Sequence, residues 1–419
     1  MDAIFRAMAH CIVSSEFHGR YSAIYNYNSA YTYSMLELSE SDIYRDLRDA
    51  VRSFVRKEVF PVATEMDRND HFPIELFRKM GKLGYLGITI PEEYGGSGMD
   101  YRAQAIVEEE LGYASASLGL SYGAHSNLCL DNLFRNGSEF MRREYVPKLA
   151  SGEWIGSLAL TEPGSGSDAL AMKTTANVAG KDYVVTGSKT LITNAPYADL
   201  FLAYARTGDA YTPFVILSSD KGFSRGAKFD KMGMRGSPTG EIFFDSIMLP
   251  EDRVVGQAGK GKDIIMSGLN SERVILSFIF IGLARRAIDL SVRYSMQRKQ
   301  GGKYLYEFEM IQEKLAVMYT RYEAGRLLAM KALSKLEEDR MDAMSAATAI
   351  YYVAESAEQI AREAIQIHGG YGYVKDFEVE RLLRDAILGQ IGAGTTEIRK
   401  KLISSGLVKN YMSNDRMPD

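Results

Sequence analysis

The spacing of apolar and polar positions changes character twice along the chain. From 36 to about 152, apolar residues recur at helical spacing. In LELSESDIYRDLRDAVRSFVRKEVFPVATEMDR, Ile43, Leu47, Val51, Phe54 and Val55 fall on one face, with Ser39 or Ser41 placed to cap the helix. A Pro/Gly loop, PEEYGGSGMD (91–100), interrupts this region. From about 153 to 260, EWIGSLAL, TTANVA, DYVVTGSKTLIT, DLFLAYAR, TPFVILSS and GEIFFDSIML are short β-rich runs between turns, which predict a compact antiparallel β domain. From about 262 to 409 long helical periods return. The most apolar stretch, ILSFIFIGLA (275–284), is bracketed by Arg273, Arg285 and Arg286 and predicts a buried helix. The expected fold is α+β: an N-terminal helical domain (36–152), a middle antiparallel β domain (153–261) and a C-terminal helical bundle (262–419). No G-x-G-x-x-G stands between a strand and a helix, so a nicotinamide site has little support.

Residues 1–35 follow neither pattern. YSAIYNYNSAYTYS is rich in Tyr, Ser and Asn and has no helical period. Three accounts stay open: a start codon placed too early, a targeting segment, or a genuine arm. Transit peptides are Arg-rich and acid-poor, whereas Arg6 and Arg20 are accompanied here by Asp2 and Glu16. A chain starting at Met35 is expected to keep its activity.

Composition narrows the function. Of 419 residues 25% are charged, and the net charge is −4, which gives no electrostatic case for nucleic acid or an anionic membrane. No apolar run approaches the roughly 20 residues of a membrane span. Two cysteines, Cys11 and Cys129, argue against a disulfide framework and for a reducing compartment. No Cys/His spacing suits zinc. His10, His18 and His71 stand in polar surroundings without a motif.

Five phrases carry the chemistry: LALTEPGSGSD (158–168), GSKTLITNAPYAD (187–199), MGMRGSPTGEIFFDSIMLPEDRVVG (232–256), QIHGGYGYVKDFEVERLLRDA (366–386) and GAGTTEIRK (392–400). In this order they resemble the acyl-CoA dehydrogenase family across roughly 36–410. LGLSYGAHSNLCL (118–130), IMSGLNSERVIL (265–276) and QIGAGTTEIR (390–399) are closest to its isovaleryl-CoA dehydrogenase branch.

The resemblance implies a flavoprotein that binds FAD and oxidises an acyl thioester. A carboxylate takes the α proton while a hydride leaves the β carbon for flavin N5. Many members carry the base as a Glu before the second Gly of the GAGTTEIRK loop, where this chain has Ala393. In isovaleryl-CoA dehydrogenases and long-chain relatives the base lies on a helix directly before an Arg. The pair Glu272–Arg273 matches that position, so Glu272 is the expected base. The backbone N–H of Ala393 would hold the thioester oxygen, a role that survives side-chain replacement.

By the same resemblance Leu160, Thr161, Gly166, Ser167, Leu191 and Thr193 contact the flavin. Leu191 stands where many relatives have Trp. Arg298, Gln366, Gly369 and Gly370 would reach the FAD of a neighbouring subunit, and Thr395 and Glu397 complete the cofactor set. Gly301–Gly302 and Glu309 depart from the family's usual residues on the adenine side. Ser167, Asn270, Arg273 and Gly392 are the expected substrate contacts, with Arg273 facing the CoA channel. His368, His125 and Cys129 read as packing residues.

The implied protein is a homotetramer that dehydrogenates a short branched acyl-CoA, isovaleryl-CoA first, and passes electrons to an electron-transfer flavoprotein. It would reside in the cytoplasm of a prokaryote or the mitochondrial matrix of a eukaryote. A dehydrogenase for another branched or longer acyl-CoA, and a non-dehydrogenase flavoprotein on the same fold, are the alternatives.

Overall fold

The structure, a computed structural model, describes residues 41–414. The extension 1–35, with its histidines, Cys11 and Met35, lies outside the described residues, as does Ser39. The chain divides into Met1–Arg45 and Asp46–Asp419, and the described part of the former is the start of one helix.

That helix, α1 (Asp42–Phe54), continues through a π-helical turn into α2 (Phe60–Arg68), whose Pro61 sits in the first turn, where no amide partner is needed. Val51, Phe54 and Val55 are buried, while Ile43 is 58% exposed. Helix α3 (Ile74–Lys82) follows, then α4 (Tyr101–Ala114), capped by Asp100, and α5 (Ala116–Gly123), capped by Ser115. A π-helical stretch, Ala124–Asp131, leads into the short helices α6 (Asn132–Asn136), α7 (Glu139–Glu144) and α8 (Val146–Ala150).

The middle region is a seven-stranded sheet: β1 (Gly156–Ala159), β2 (Thr175–Ala179), β3 (Asp182–Thr193), β4 (Leu200–Thr207), β5 (Ala210–Leu217), β6 (Phe223–Lys228) and β7 (Thr239–Leu249). The order is β1-β4-β2-β3-β7-β6, with β5 beside β4. Most pairs are antiparallel, as the turn-rich pattern predicts. Two parallel contacts interrupt this: β1 runs along β4 in the register Gly156↔Leu200, and Thr175 of β2 meets Arg206 of β4. The β3–β7 ladder is broken between Lys189 and Ile192. Leu191, in that break, has φ 57° and is 60% exposed.

Helix α9 (Gly261–Gln297) is the axis of the C-terminal region. Its residues 274–284 are buried throughout, as expected for ILSFIFIGLA. It meets α4 at near backbone contact. A Cβ on Gly112 would lie 2.3 Å from the Ile279 carbonyl, and one on Gly282 would lie 2.1 Å from the Glu109 carbonyl. Only glycine permits that approach. At the same crossing Arg285 binds Glu109 at 2.7 Å and Glu110 at 2.8 Å, and Arg48 joins both carboxylates at 3.2 Å. Helices α10 (Glu309–Glu337), α11 (Ala343–His368), α12 (Val379–Ile387) and α13 (Thr396–Asn414) complete the region. Arg384 of α12 ties it to Asp67 of α2 through bonds of 2.8 and 2.6 Å.

Candidate active site

Glu272 stands in the first third of α9 and is partly buried. Packing strips water from its carboxyl and pushes its pKa up to about 7, against the pull of the Arg273 and Arg399 cations. Among the described residues nothing hydrogen-bonds the carboxylate. One turn earlier on α9, Ile265, Gly268 and Leu269 share a cleft with Leu128 and Leu160. Helix α9 and the LALTEPGSGSD segment therefore face each other.

Two arginines hold the loop between α12 and α13, Arg273 from α9 and Arg399 from α13. Arg273 Nε donates to the Ala393 carbonyl at 3.0 Å, and its Nη1 to Asn270 Oδ1 at 2.9 Å. Arg399, fully buried, donates to the Gly389 carbonyl at 2.6 Å and also to that of Gly392. Burial and the neighbouring Arg273 lower its pKa to about 10. Ala393 itself has φ 55°, the left-handed region that a residue with a Cβ enters at a cost. Its N–H makes no hydrogen bond among the described residues. The loop thus holds a free backbone donor in a strained, fixed pose.

Arg273 is 6% exposed, and its guanidinium is held by the loop carbonyl of Ala393 and by Asn270. Asn270 spends its Oδ1 on Arg273. Gly392 is roomy: a Cβ there would meet Leu388 atoms at 3.6 to 3.9 Å, ordinary contact distances.

The TEPGSGSD loop is anchored from below. Lys189, fully buried, donates to Glu162 at 2.9 Å and to the Leu160 carbonyl at 3.1 Å. Glu162 also accepts the N–H groups of Lys173 at 2.5 Å and Thr174 at 3.0 Å. The Thr161 carbonyl receives the Thr190 N–H at 2.9 Å, and the Thr193 carbonyl receives Ser157 Oγ at 2.6 Å. Above this base Gly164, Gly166 and Ser167 are exposed, and a Cβ on either glycine would meet nothing within 4 Å. An open cradle of small residues on a fixed base suits a large planar cofactor.

The remaining expected cofactor residues form a separate group. Arg298 ends α9, roughly 39 Å along the helix axis from Glu272. It lies 6.0 Å over the Tyr371 ring, in the same turn as exposed Gly369 and Gly370, with exposed Gln366 at the end of α11. Thr395 caps α13 through Ile398 N at 3.4 Å, and Glu397 is exposed. His368 Nδ1 donates to the Ala364 carbonyl at 2.7 Å, and the ring stacks on Tyr294 at 4.3 Å. His125 bridges regions: Nε2 meets the Leu149 carbonyl at 3.0 Å and Nδ1 accepts the Gly156 N–H at 2.9 Å. Cys129 is buried, and desolvation raises its pKa to about 12, so its thiol is inert.

Sequence reasoning assigned no role to Arg399 or to the Lys189–Glu162 pair. A signal existed for the first: Arg399 heads the i, i+4 row continued by Ile403 and Leu407, an apolar row in which a charge is out of place. Lys189 occupies an inward position of a strand, with the same anomaly.

Comparison with known proteins agrees with this geometry. The models of the acyl-CoA dehydrogenase N-terminal, middle and C-terminal domains match residues 41–153, 157–247 and 259–408. A mitochondrial isovaleryl-CoA dehydrogenase of Oryza sativa subsp. japonica is 42% identical over 88% of this chain and 92% of its own. A mitochondrial 2-methylacyl-CoA dehydrogenase of Solanum tuberosum is 37% identical over 97% of this chain and 98% of its own. The structure of a glutaryl-coenzyme A dehydrogenase in complex with glutaryl-CoA superposes with TM-score 0.87 at 35% identity, covering 91% of this chain and 98% of that one. With all three domain models in order and relatives matched along nearly their whole length, this chain belongs to the acyl-CoA dehydrogenase family.

Proposed function

We propose that this FAD-dependent acyl-CoA dehydrogenase acts on a short branched-chain substrate, isovaleryl-CoA, forming 3-methylcrotonyl-CoA as in leucine catabolism and passing electrons to an electron-transfer flavoprotein. One observation carries the reading: an unpaired carboxylate with a pKa of about 7, Glu272, on a helix clamped to a loop with a free N–H, that of Ala393.

Each group then has a task. Glu272 takes the α proton, and a base with a pKa near working pH does so with the best balance of availability and strength. The Ala393 N–H donates to the thioester oxygen as enolate charge develops there. Arg273 and Asn270 position that loop. Leu160, Thr161, Gly166, Ser167, Leu191 and Thr193 would hold the FAD ring, which when bound would supply the acceptor for a hydride from the β carbon. Arg298 stands at the far end of α9 from Glu272, beside the turn that carries Gly369 and Gly370 after Gln366. This supports their reaching the FAD of a neighbouring subunit in a homotetramer.

Space beside Gly392 and likeness to dehydrogenases of branched acyl-CoAs support the branched substrate. A preference for another branched or longer acyl-CoA is the second reading, favoured by the potato relative. An intact Glu272 argues against a non-dehydrogenase flavoprotein. Among the described residues no helix is long and apolar enough to cross a membrane. The compartment is the mitochondrial matrix if the source is eukaryotic and the cytoplasm if it is prokaryotic. The test is a panel of straight- and branched-chain hydrocarbon acyl-CoAs with an artificial electron acceptor. Isovaleryl-CoA should lead. A wide preference for octanoyl-CoA would overturn the substrate, and failure of every acyl-CoA to bleach the flavin would overturn the dehydrogenase reading.

A further inference from the structure

Between α4, α5 and α9 lies a group of buried polar side chains that this chemistry does not use. Glu108 is fully buried, and neither carboxyl oxygen has a hydrogen-bond partner. Desolvation pushes its pKa well above the usual carboxyl range. Gln104, one turn earlier on the same face of α4, has an unpaired Nε2. Asn127 Oδ1 is also without a partner, and the Tyr122 hydroxyl lies against Gln104, Ser126 and Glu108. All five residues are at most 2% exposed.

The local fold makes room for this group. A Cβ on Gly123 would lie 2.6 Å from Glu108 Oε1, and one on Gly119 would lie 3.4 Å from Oε2. Ser126 and Asn127 ride on the π-helical stretch, a distortion frequent at functional sites. The group connects to the reaction centre: Asn127 Nδ2 donates to Gln104 Oε1 at 3.2 Å and to Ser271 Oγ at 3.1 Å. Ser271 directly precedes Glu272. A line of polar groups therefore begins beside the base and ends at Glu108.

Native interiors pair nearly all their polar atoms, and each exception costs free energy. Several exceptions in one group point to a ligand that completes them. The group offers donors and acceptors but no cation. A carboxylate would add a charge with no counter-charge, and a methyl end would leave both Glu108 oxygens unpaired. A hydroxyl both donates and accepts.

We propose that Glu108, Gln104, Tyr122, Ser126 and Asn127 form a polar far wall of the acyl site, selecting acyl-CoAs whose tail ends in a hydroxyl. The inference rests on the dehydrogenase reading above, with Glu272 as base, and refines the end of the acyl tail.

The experiment compares kcat/KM for matched straight and branched acyl-CoAs, with and without a terminal hydroxyl, in wild type, Glu108→Leu and Glu108→Gln. At one tail length or more the wild type should prefer the hydroxylated compound. Glu108→Leu should shift that preference toward the plain tail by at least about tenfold, whereas Glu108→Gln keeps the direction of preference. An unchanged ratio in a flavin-loaded Glu108→Leu overturns the proposal, as does a wild-type preference for plain tails at every length; a wall merely filled with water gives these results. If Glu108→Leu does not fold, titration of wild-type flavin absorbance with each pair decides, and equal affinities overturn the proposal. Turnover of plain tails alone leaves the dehydrogenase reading standing, whereas absence of all turnover removes both.

Discussion

Arg273 Nε donates to the Ala393 carbonyl at 3.0 Å, across 120 residues of sequence. The bond joins the neighbour of Glu272, the proposed base, to the residue whose N–H is free among the described residues. Arg273→Met should therefore keep flavin but lower kcat by about 100-fold, because a small misplacement of the reacting groups is costly. It also removes a cation that pulls the Glu272 pKa down, so the acidic limb of the kcat/KM profile should move to higher pH. A purely structural role would lower activity without moving that limb.

Glu272→Gln should retain flavin and acyl-CoA binding while losing about 10²–10⁴-fold in turnover. In wild type kcat/KM should fall as pH drops through about 7, where Glu272 takes up a proton. The folded pKa is raised, so the ionised carboxyl is a burden on the fold above the unfolded value of 4.5. Glu272→Gln should accordingly melt higher than wild type at pH 8. Full turnover in this variant would sink the assignment of the base.

Moving the carboxylate back tests the same assignment from the other side. Glu272→Gly with Ala393→Glu should recover part of the lost turnover. Recovery stays partial because the loop pose, φ 55° at Ala393, was set without a long side chain. Stopped-flow bleaching of the flavin by isovaleryl-CoA measures it, and recovery from Ala393→Glu alone would point to the loop rather than the helix.

Gly392→Tyr should reverse the order of isovaleryl-CoA and butyryl-CoA. The Cβ fits, with its nearest neighbour at 3.6 Å, and the ring then takes the space a methyl branch needs. One methyl group is worth about 1–3 kcal/mol of discrimination. Competition between the two substrates reads this directly.

His125 gives stability an acidic edge. Burial holds its pKa at about 4 in the folded chain, against 6.5 unfolded. The unfolded state therefore binds the extra proton first, and stability falls as pH drops from 6.5 toward 4. His125→Gln should melt lower than wild type at pH 7 but lose that slope in a series of melts across the range. An unchanged slope would place the acid sensitivity elsewhere.

The order of helix, strand and helix, the buried ILSFIFIGLA segment and the Glu272–Arg273 pair were all readable from the chain, because periodicity and local phrases are short-range properties. What the sequence could not show is how distant segments satisfy one another. Arg273 reads as a substrate contact, and only the fold shows that it also bonds the Ala393 carbonyl, 120 residues away. Lys189 and Arg399 look like ordinary charges, yet the fold buries both and makes them the donors that fix two loops. Glu108 sits in a run of three glutamates whose neighbours Glu109 and Glu110 find arginines, while Glu108 finds none. Burial sets the worth of a charge, and burial is a property of packing between elements far apart in the chain. The sequence therefore determined which elements form and which residues are candidates for chemistry. Tertiary structure alone decided which of them lose their water and what they must bond to instead.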